Sequence, residues 1–256
     1  MNIPKIYLYN KYKVIHFEEI DSTNEYAWNL ISNNNPNENA VIIADNQTHG
    51  KGQYGRNWET QQGKNITMTA IVKPYRLHIK DAFHLNIIVS VAIINILEKE
   101  MDTKLKVKWP NDIYYNNNKL CGILIKNKVV DNKIKSSIIG IGINVNQESF
   151  DTHLLNPISM TMIKKRVFDK NQLALKVLDE IYSLFAKRKK ESVTTLCKIY
   201  NTQLYRSGEM KKYIINGKNR TMIIEKVDAS GILYLRDGEG EIIEISSGIE
   251  YVKDFD

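Results

Sequence analysis

The stretch Gly50-Lys51-Gly52-Gln53-Tyr54-Gly55-Arg56 spells G-x-G-x-x-G, and the residues directly behind it decide the fold. A dinucleotide fingerprint requires a helix directly after the glycines, so that a pyrophosphate can rest on its N-terminus. Here Asn57-Trp58-Glu59-Thr60-Gln61-Gln62-Gly63 is a second turn, and Ile66 to Val72 behind it reads as a strand. That order excludes the doubly wound reading. A kinase loop would need V-A-I-K, H-R-D and D-F-G elements downstream; these are missing, as is a Walker A motif. What remains is a loop in which glycine brings backbone N–H groups close to an anionic oxygen, with Lys51 and Arg56 adding full charges. The plainer alternative, a glycine turn without a ligand, needs neither three glycines nor two cations.

Upstream of the loop, Val14-Ile15-His16-Phe17 reads as a strand that leads into Asp21-Ser22-Thr23-Asn24-Glu25. Ser22 and Glu25 have capping-box spacing, and Ala27, Leu30 and Ile31 fall on one side of the helix they open. Asn33 to Asn39 is a loop, and Ala40 to Ala44 is a buried strand ending in Asp45-Asn46-Gln47. The Gln47 amide can both donate and accept. Downstream, Asp81 is expected to cap a helix through Met101, apolar around most of its circumference and so destined for the interior. Leu105, Val107 and Trp109 alternate with Lys104, Lys106 and Lys108, the period of a strand.

Pro110 ends that strand and stiffens the turn from which Asn111 and Asp112 project. Their oxygens suit a magnesium–nucleotide pair, and Lys108 suits phosphate, although Pro, Asn and Asp also make ordinary turns. Two more strands, Leu120 to Ile125 and Ile138 to Val145, are separated by turn residues. Lys119 stands just ahead of the first. Two glycines in Gly140-Ile141-Gly142-Ile143-Asn144 imply a close backbone approach, with Asn144 a candidate for a sugar or phosphate contact. The five histidines form no ligand-spaced cluster, and no catalytic triad is evident.

A helix from about Gln172 to Lys187 and a shorter one to about Asn201 precede a change of character near Leu204. Short strands at Met210–Ile215, Arg220–Val227, Ile232–Leu235 and Glu241–Ile245, with glycine turns between them, predict a small β-barrel. The expected division is a main domain over 1–203 and a small one over 204–256. A length of 256 residues, 43% hydrophobic and 25% charged, fits such a globular chain. No run of about 20 apolar residues and no signal peptide is read from it, and Cys121 and Cys197 are isolated, so a cytoplasmic, reducing location is expected. The net charge of +7 arises from 36 cations scattered among 29 anions. The only dense run, Lys187-Arg188-Lys189-Lys190, closes a helix, where cations complement the dipole. Charge therefore argues for neither DNA nor a membrane, and a basic face equally attracts an acidic protein.

Taken together, these motifs resemble the biotin–protein ligases (biotin–[acetyl-CoA-carboxylase] ligases), in the form lacking an N-terminal DNA-binding domain. Asp21 to Asn24 is similar to D-S-T-N; Gln47 to Trp58 to the biotinyl-adenylate loop; Lys108 to Asp112 to K-W-P-N-D. Lys119 to Leu124 is similar to K-x-x-G-I-L, and Gly140 to Asn144 to G-x-G-I-N; Tyr205 to Glu209 resembles the start of an SH3-like barrel. The resemblance implies an α+β fold: a mixed, largely antiparallel sheet with helices, class II synthetase-like, followed by that small barrel. For biotin it implies Ser22, Thr23, Asn24, Gln47, Gly50, Lys51, Gly52, Gln53, Lys119, Gly122 and Gly140. For ATP and AMP it implies Lys51, Gln53, Arg56, Trp58, Lys108, Asn111 and Asn144, with Asn111 and Asp112 as magnesium ligands. Lys119, Arg56 and Asp112 would be catalytic. Lys51 stands where arginine is usual and cannot make the same bidentate fork; Gln53 and His49 also depart from the common pattern.

The implied reaction joins biotin and ATP as biotinyl-5′-AMP and then transfers biotin to a lysine of a biotin carboxyl carrier protein domain. Bringing a carboxylate to the α-phosphate crowds two anions, which Lys119, Arg56 and magnesium would offset. A related lipoate or octanoate ligase is the nearest alternative, but a fatty chain has no use for so many polar groups around its head. A biotin-responsive DNA-binding repressor would need a helix-turn-helix ahead of Val14. Whether the chain is a monomer or a homodimer is left open.

Overall fold

The computed structural model describes residues 3–33, 40–74, 76–187 and 190–252. Most of the loop expected at Asn33 to Asn39, and Arg188-Lys189 of the basic run, lie outside them. Eight strands form one sheet: β1 (Lys5–Tyr9), β2 (Tyr12–Ile20), β3 (Ala40–Gln47), β4 (Ile66–Val72), β5 (Lys106–Lys108), β6 (Asp112–Tyr115), β7 (Asn118–Val130) and β8 (Lys133–Ile143). Their order is β1-β2-β3-β4-β8-β7-β6-β5; β2 and β3 pair in parallel and the other described neighbours antiparallel. Among the described residues the α-helices are α1 (Thr23–Ser32), α2 (Phe83–Met101), α3 (Met160–Lys164), α4 (Lys170–Ala186) and α5 (Lys190–Thr202). The C-terminal strands β9 (Met210–Ile215), β10 (Lys218–Val227), β11 (Leu233–Arg236), β12 (Ile242–Ile245) and β13 (Ile249–Tyr251) form an antiparallel sheet ordered β12-β11-β10-β9-β13. The α+β expectation is met.

The two faces of the large sheet are used differently. Ile66, Met68, Ala70 and Val72 of β4 join the main core with α2 and α4. Ile71, with Ile15, Phe17, Ile42 and Ile138, packs instead around Ala27 and Ile31 of α1. Every residue of β4 is buried, which explains its continuous apolar run broken only by Thr67 and Thr69. Burying a large apolar side chain contributes roughly 1.5–3 kcal/mol, so the buried Leu, Ile, Val and Met positions of α2 anchor the sheet. By length and composition Ile79–Met101 could cross a membrane, contrary to the sequence expectation, but Leu85, Ile87, Ile88, Ile93, Ile94 and Leu97 are fully buried in the core.

Asp81 does not cap α2. It ends a short 3-10 turn, Ile79–Asp81, and Ala82 occupies the cap position with no side-chain bond to the helix. The first strand is β1 rather than Val14, and β6, α3 and β13 were not anticipated. Ser22 does cap α1, its Oγ accepting from Glu25 N at 3.4 Å. The small sheet is tied to the large one by backbone: Val107 N donates to Gln203 O at 2.7 Å, and Tyr205 N donates to Val107 O at 2.9 Å. Trp109 Nε1 donates to Gly231 O at 3.1 Å.

Candidate active site

Register places the predicted residues in line. Across β3, β4, β8, β7, β6 and β5 the partners run Ala44, Thr67, Gly142, Gly122, Asp112 and Lys108. The neighbouring row is Ile42, Thr69, Gly140 and Leu124. Side chains in one row share a face. The glycines therefore leave a trough between polar residues at one end and charged ones at the other. A cavity of about 960 Å³ occupies this trough, a size suited to a cofactor-sized ligand.

At the polar end Ser22, Thr23 and Asn24 are buried at the start of α1. Thr23 donates to Gln47 Oε1 from its backbone N at 2.8 Å and from Oγ1 at 2.9 Å. Thr69 Oγ1 lies 2.8 Å from Thr23 Oγ1 and 2.6 Å from Asn24 Oδ1. Thr69 was missed because threonine passes for an ordinary strand former; the available signal was a hydroxyl inside an otherwise apolar run. A Cβ on Gly140 would come within 3.0 Å of the Asn24 amide, and one on Gly142 within 3.0 Å of the Trp58 indole. Both positions must be glycine for this packing. Trp58 lies on the glycine floor, and its indole N–H is buried without an acceptor among the described residues.

At the charged end Lys119 Nζ lies 2.8 Å from Asp112 Oδ1 and 5.6 Å from the Trp58 ring centroid. Lys108 Nζ lies 4.8 Å from the Tyr114 ring and 4.7 Å from the Tyr251 ring, and donates to Tyr114 Oη at 3.1 Å. Burial pushes the Lys108 ammonium down to about 8; Asp112 opposes the shift, and Lys119, Arg206 and Arg56 add to it. Burial likewise raises Tyr114 and Tyr251. Tyr205, Arg206 and Tyr251 bring the C-terminal sheet to the cavity wall, which sequence reasoning did not foresee. Contacts between residues so far apart in the chain leave no local pattern.

Two predicted residues also make structural ties. Asn111 Nδ2 donates to Ile123 O, and Ile123 N returns a bond to Asn111 O at 3.0 Å. Asn144 Nδ2 donates to Ile158 O at 3.2 Å. Both line the cavity with their amide nitrogens already engaged. Asp112 lines the cavity at its charged end, while the Asn111 amide fixes the turn.

Gly50 does not line the cavity. It lies where the loop's two legs cross: Trp58 N donates to Gly50 O at 2.9 Å, and a Cβ there would strike the Trp58 carbonyl. Gly52 N closes on Arg56 O at 2.7 Å around the turn Gln53–Gly55. Gly52, Gln53 and Arg56 line the cavity, Arg56 at an exposed rim. Lys51 lines it too, but its ammonium lies 3.1 Å from Glu25 Oε1.

Residues 16–144, half of the chain, match the model of the biotin/lipoate A/B protein ligase family. The bifunctional ligase/repressor BirA of Bacillus spizizenii is 38% identical over 138 residues, which is 54% of this chain and 42% of that protein. The chain thus spans less than half the length of that relative. The biotin–[acetyl-CoA-carboxylase] ligase of Paracoccus denitrificans is 26% identical over 230 residues, 86% of this chain and 92% of the other. Among solved structures, the Aquifex aeolicus biotin protein ligase in complex with biotin and ATP superposes with a TM-score of 0.77 at 25% identity, over 93% of this chain and 99% of that one. With residues 16–144, which carry the glycine trough and the adjoining loop, matched in this way, the chain belongs to the biotin/lipoate A/B protein ligase family.

Proposed function

We propose that this chain is a biotin–protein ligase: it forms biotinyl-5′-AMP from biotin and ATP and passes the biotin to a lysine of a biotin carboxyl carrier domain. The observation that carries this reading is the polarity of the trough. Five hydrogen-bonding side chains, Ser22, Thr23, Asn24, Gln47 and Thr69, gather at one end, while Lys119, Arg56 and Lys108 gather at the other. A ureido ring can exchange hydrogen bonds with the polar side chains of this end, and an aliphatic tail cannot. That asymmetry favours biotin over lipoate or octanoate. The orphan Trp58 N–H adds a donor for a bound ligand.

In the first step a biotin carboxylate oxygen attacks the α-phosphorus and the bond to the pyrophosphate oxygen breaks. Lys119, withdrawn from Asp112, stabilises the crowded anions, with Arg56 at the rim. Magnesium arrives with ATP as part of the substrate, where it neutralises phosphate charge. Asp112, which partners Lys119 at 2.8 Å, meets it in this reading. In the second step the neutral lysine amine of the carrier attacks the acyl carbon, AMP departs, and the proton leaves the nitrogen, with Asp112 the assigned acceptor. The trough and its loop shield the mixed anhydride from water. The reading places the reaction in the cytoplasm and divides the chain at 203/204 into a catalytic and a small C-terminal domain. The test is pyrophosphate release with ATP, magnesium and either biotin or lipoate. Biotin-dependent release is expected, and release with lipoate alone would overturn the reading.

A further inference from the structure

The tip of the loop that lies beside the trough is tied to the body of the protein through the Glu25 carboxylate. Lys51 Nζ lies 3.1 Å from Glu25 Oε1, and Lys126 Nζ lies 2.9 Å from the same oxygen. Glu25 belongs to the first turn of α1, Lys51 to the glycine loop and Lys126 to β7, so a single atom joins three elements. Neither Glu25 nor Lys126 lines the cavity. Between Gly50 and Trp58 the loop's backbone closes on itself, by Gly52 N to Arg56 O and Trp58 N to Gly50 O, so these bonds travel with it if the tip lifts as a unit. At its root Thr48 N and His49 N donate to Ile20 O and Asp21 O, which leaves the tip to pivot about Gly50. The hydrogen bonds from Lys126 and Lys51 hold the Glu25 carboxyl below its usual range, so it is charged throughout neutral pH.

We propose that Glu25 is the latch of the glycine loop: held by Lys126, it draws Lys51 and the loop tip toward the trough and so sets how long the acyl-adenylate is retained. This rests on the adenylate-forming reading above. It makes Lys51 a tether and Glu25 a positioning residue, leaving the phosphates to Lys119, Arg56 and Lys108. It also accounts for a lysine in the loop, since a single ammonium-to-carboxylate tie does not need the fork of an arginine.

Because the three side chains are between 31% and 50% exposed, the latch is modest in strength and sensitive to salt. The test compares the full chain with Glu25→Gln, loaded with biotin and magnesium–ATP. Single-turnover pyrophosphate formation and the loss of bound adenylate after dilution are measured at about 50 mM and about 500 mM salt. Expected are adenylation within about twofold of the parent and adenylate loss roughly three- to tenfold faster in the variant. Loss from the parent should quicken with salt, and loss from Glu25→Gln should not. In a Lys51→Gln background, Glu25→Gln should add little. Equal retention in parent and variant, or a full effect of Glu25→Gln when Lys51 is already glutamine, would overturn the latch alone. A parent that makes no biotin-dependent pyrophosphate would overturn the ligase reading and the latch with it.

Discussion

The floor and the loop of the trough are built by different physics. The floor is backbone: β4, β8, β7 and β6 in continuous register, with glycines where a Cβ would strike Asn24 or Trp58. Its geometry is fixed by ladder hydrogen bonds and by buried packing on the opposite face. The loop has a single 3-10 turn, exposed residues at Lys51, Gly55 and Arg56, and ion pairs to its surroundings at Lys51–Glu25 and Glu59–His153. Position is thus specified by what the floor lacks, while opening is set by charges that solvent can reach. Changes in the floor should therefore act on chemistry and binding, and changes at the loop's tethers on retention.

The sharpest way to break that division is at Lys119, the second residue of β7, which reaches Asp112 at 2.8 Å. Lys119→Ala should slow adenylate formation by about a hundred- to a thousandfold, the cost of removing one preorganised group facing developing charge. Its melting temperature should change little, because the pair is partly exposed. Near-normal single-turnover adenylation would remove Lys119 from the chemistry. Next comes Gly140→Ala, whose new methyl must displace the Asn24 amide. The expected result is a KM for biotin raised by about tenfold or more, with a smaller change in kcat. Asn24→Ala should be costly alone, yet adding it to Gly140→Ala should cost less than the sum, since the clash is gone. Strict additivity would show that the floor does not act through Asn24.

Some of this arrangement could be read in the sequence, and the limits are physical. Strand β4 was legible to the residue, because a strand buried on both faces is a nearly continuous apolar run between turns, broken here only by Thr67 and Thr69. The body of α2 was legible and its start was not, because Asp81 has the chemistry of a cap but lies in a 3-10 turn. Strand β6 escaped because four residues between a proline turn and an asparagine turn carry no usable periodicity. The trough's residues were found through motifs local to each segment. Thr69, Tyr205, Arg206 and Tyr251 were not, since their place depends on register and on docking of the small sheet. Glu25 was read only as half of a capping box; its part between Lys51 and Lys126 exists only once β7 lies beside α1.

Lys108 lies between floor and small sheet and offers a finer test. Its ammonium titrates near 8, so its charge is present below that pH and fades above it. If it binds phosphate, the KM for ATP should rise by up to about tenfold between pH 7 and 9, while the KM for biotin moves much less. Lys108→Arg, which stays charged, should flatten the ATP profile. An unchanged slope in that variant would assign the pH dependence elsewhere. Tyr251→Phe should leave the profile intact, because the Tyr251 ring rather than its hydroxyl faces the ammonium.

The smallest effect is expected on the loop's far side. His153 Nε2 lies 3.0 Å from Glu59 Oε1, and Nδ1 lies 2.7 Å from Asp151 Oδ1, which ties the segment after Trp58 to the chain that runs past the cavity rim. Hydrogen bonds to Asp151 and then to Glu59 raise the histidine above its ordinary 6.5, slight burial working the other way. A raised histidine contributes fully below its unfolded value, and the contribution is lost as pH rises through the folded one. The tether should therefore hold at pH 6 and loosen by pH 8.5, while the Glu25 carboxylate stays charged across that whole window. Adenylate loss after dilution should quicken about two- to threefold over this range in the parent and lose that dependence in His153→Gln. Glu25→Gln should shift the rate at every pH without changing the slope. If instead the slope vanished in Glu25→Gln and survived in His153→Gln, the two tethers would have been assigned the wrong way round.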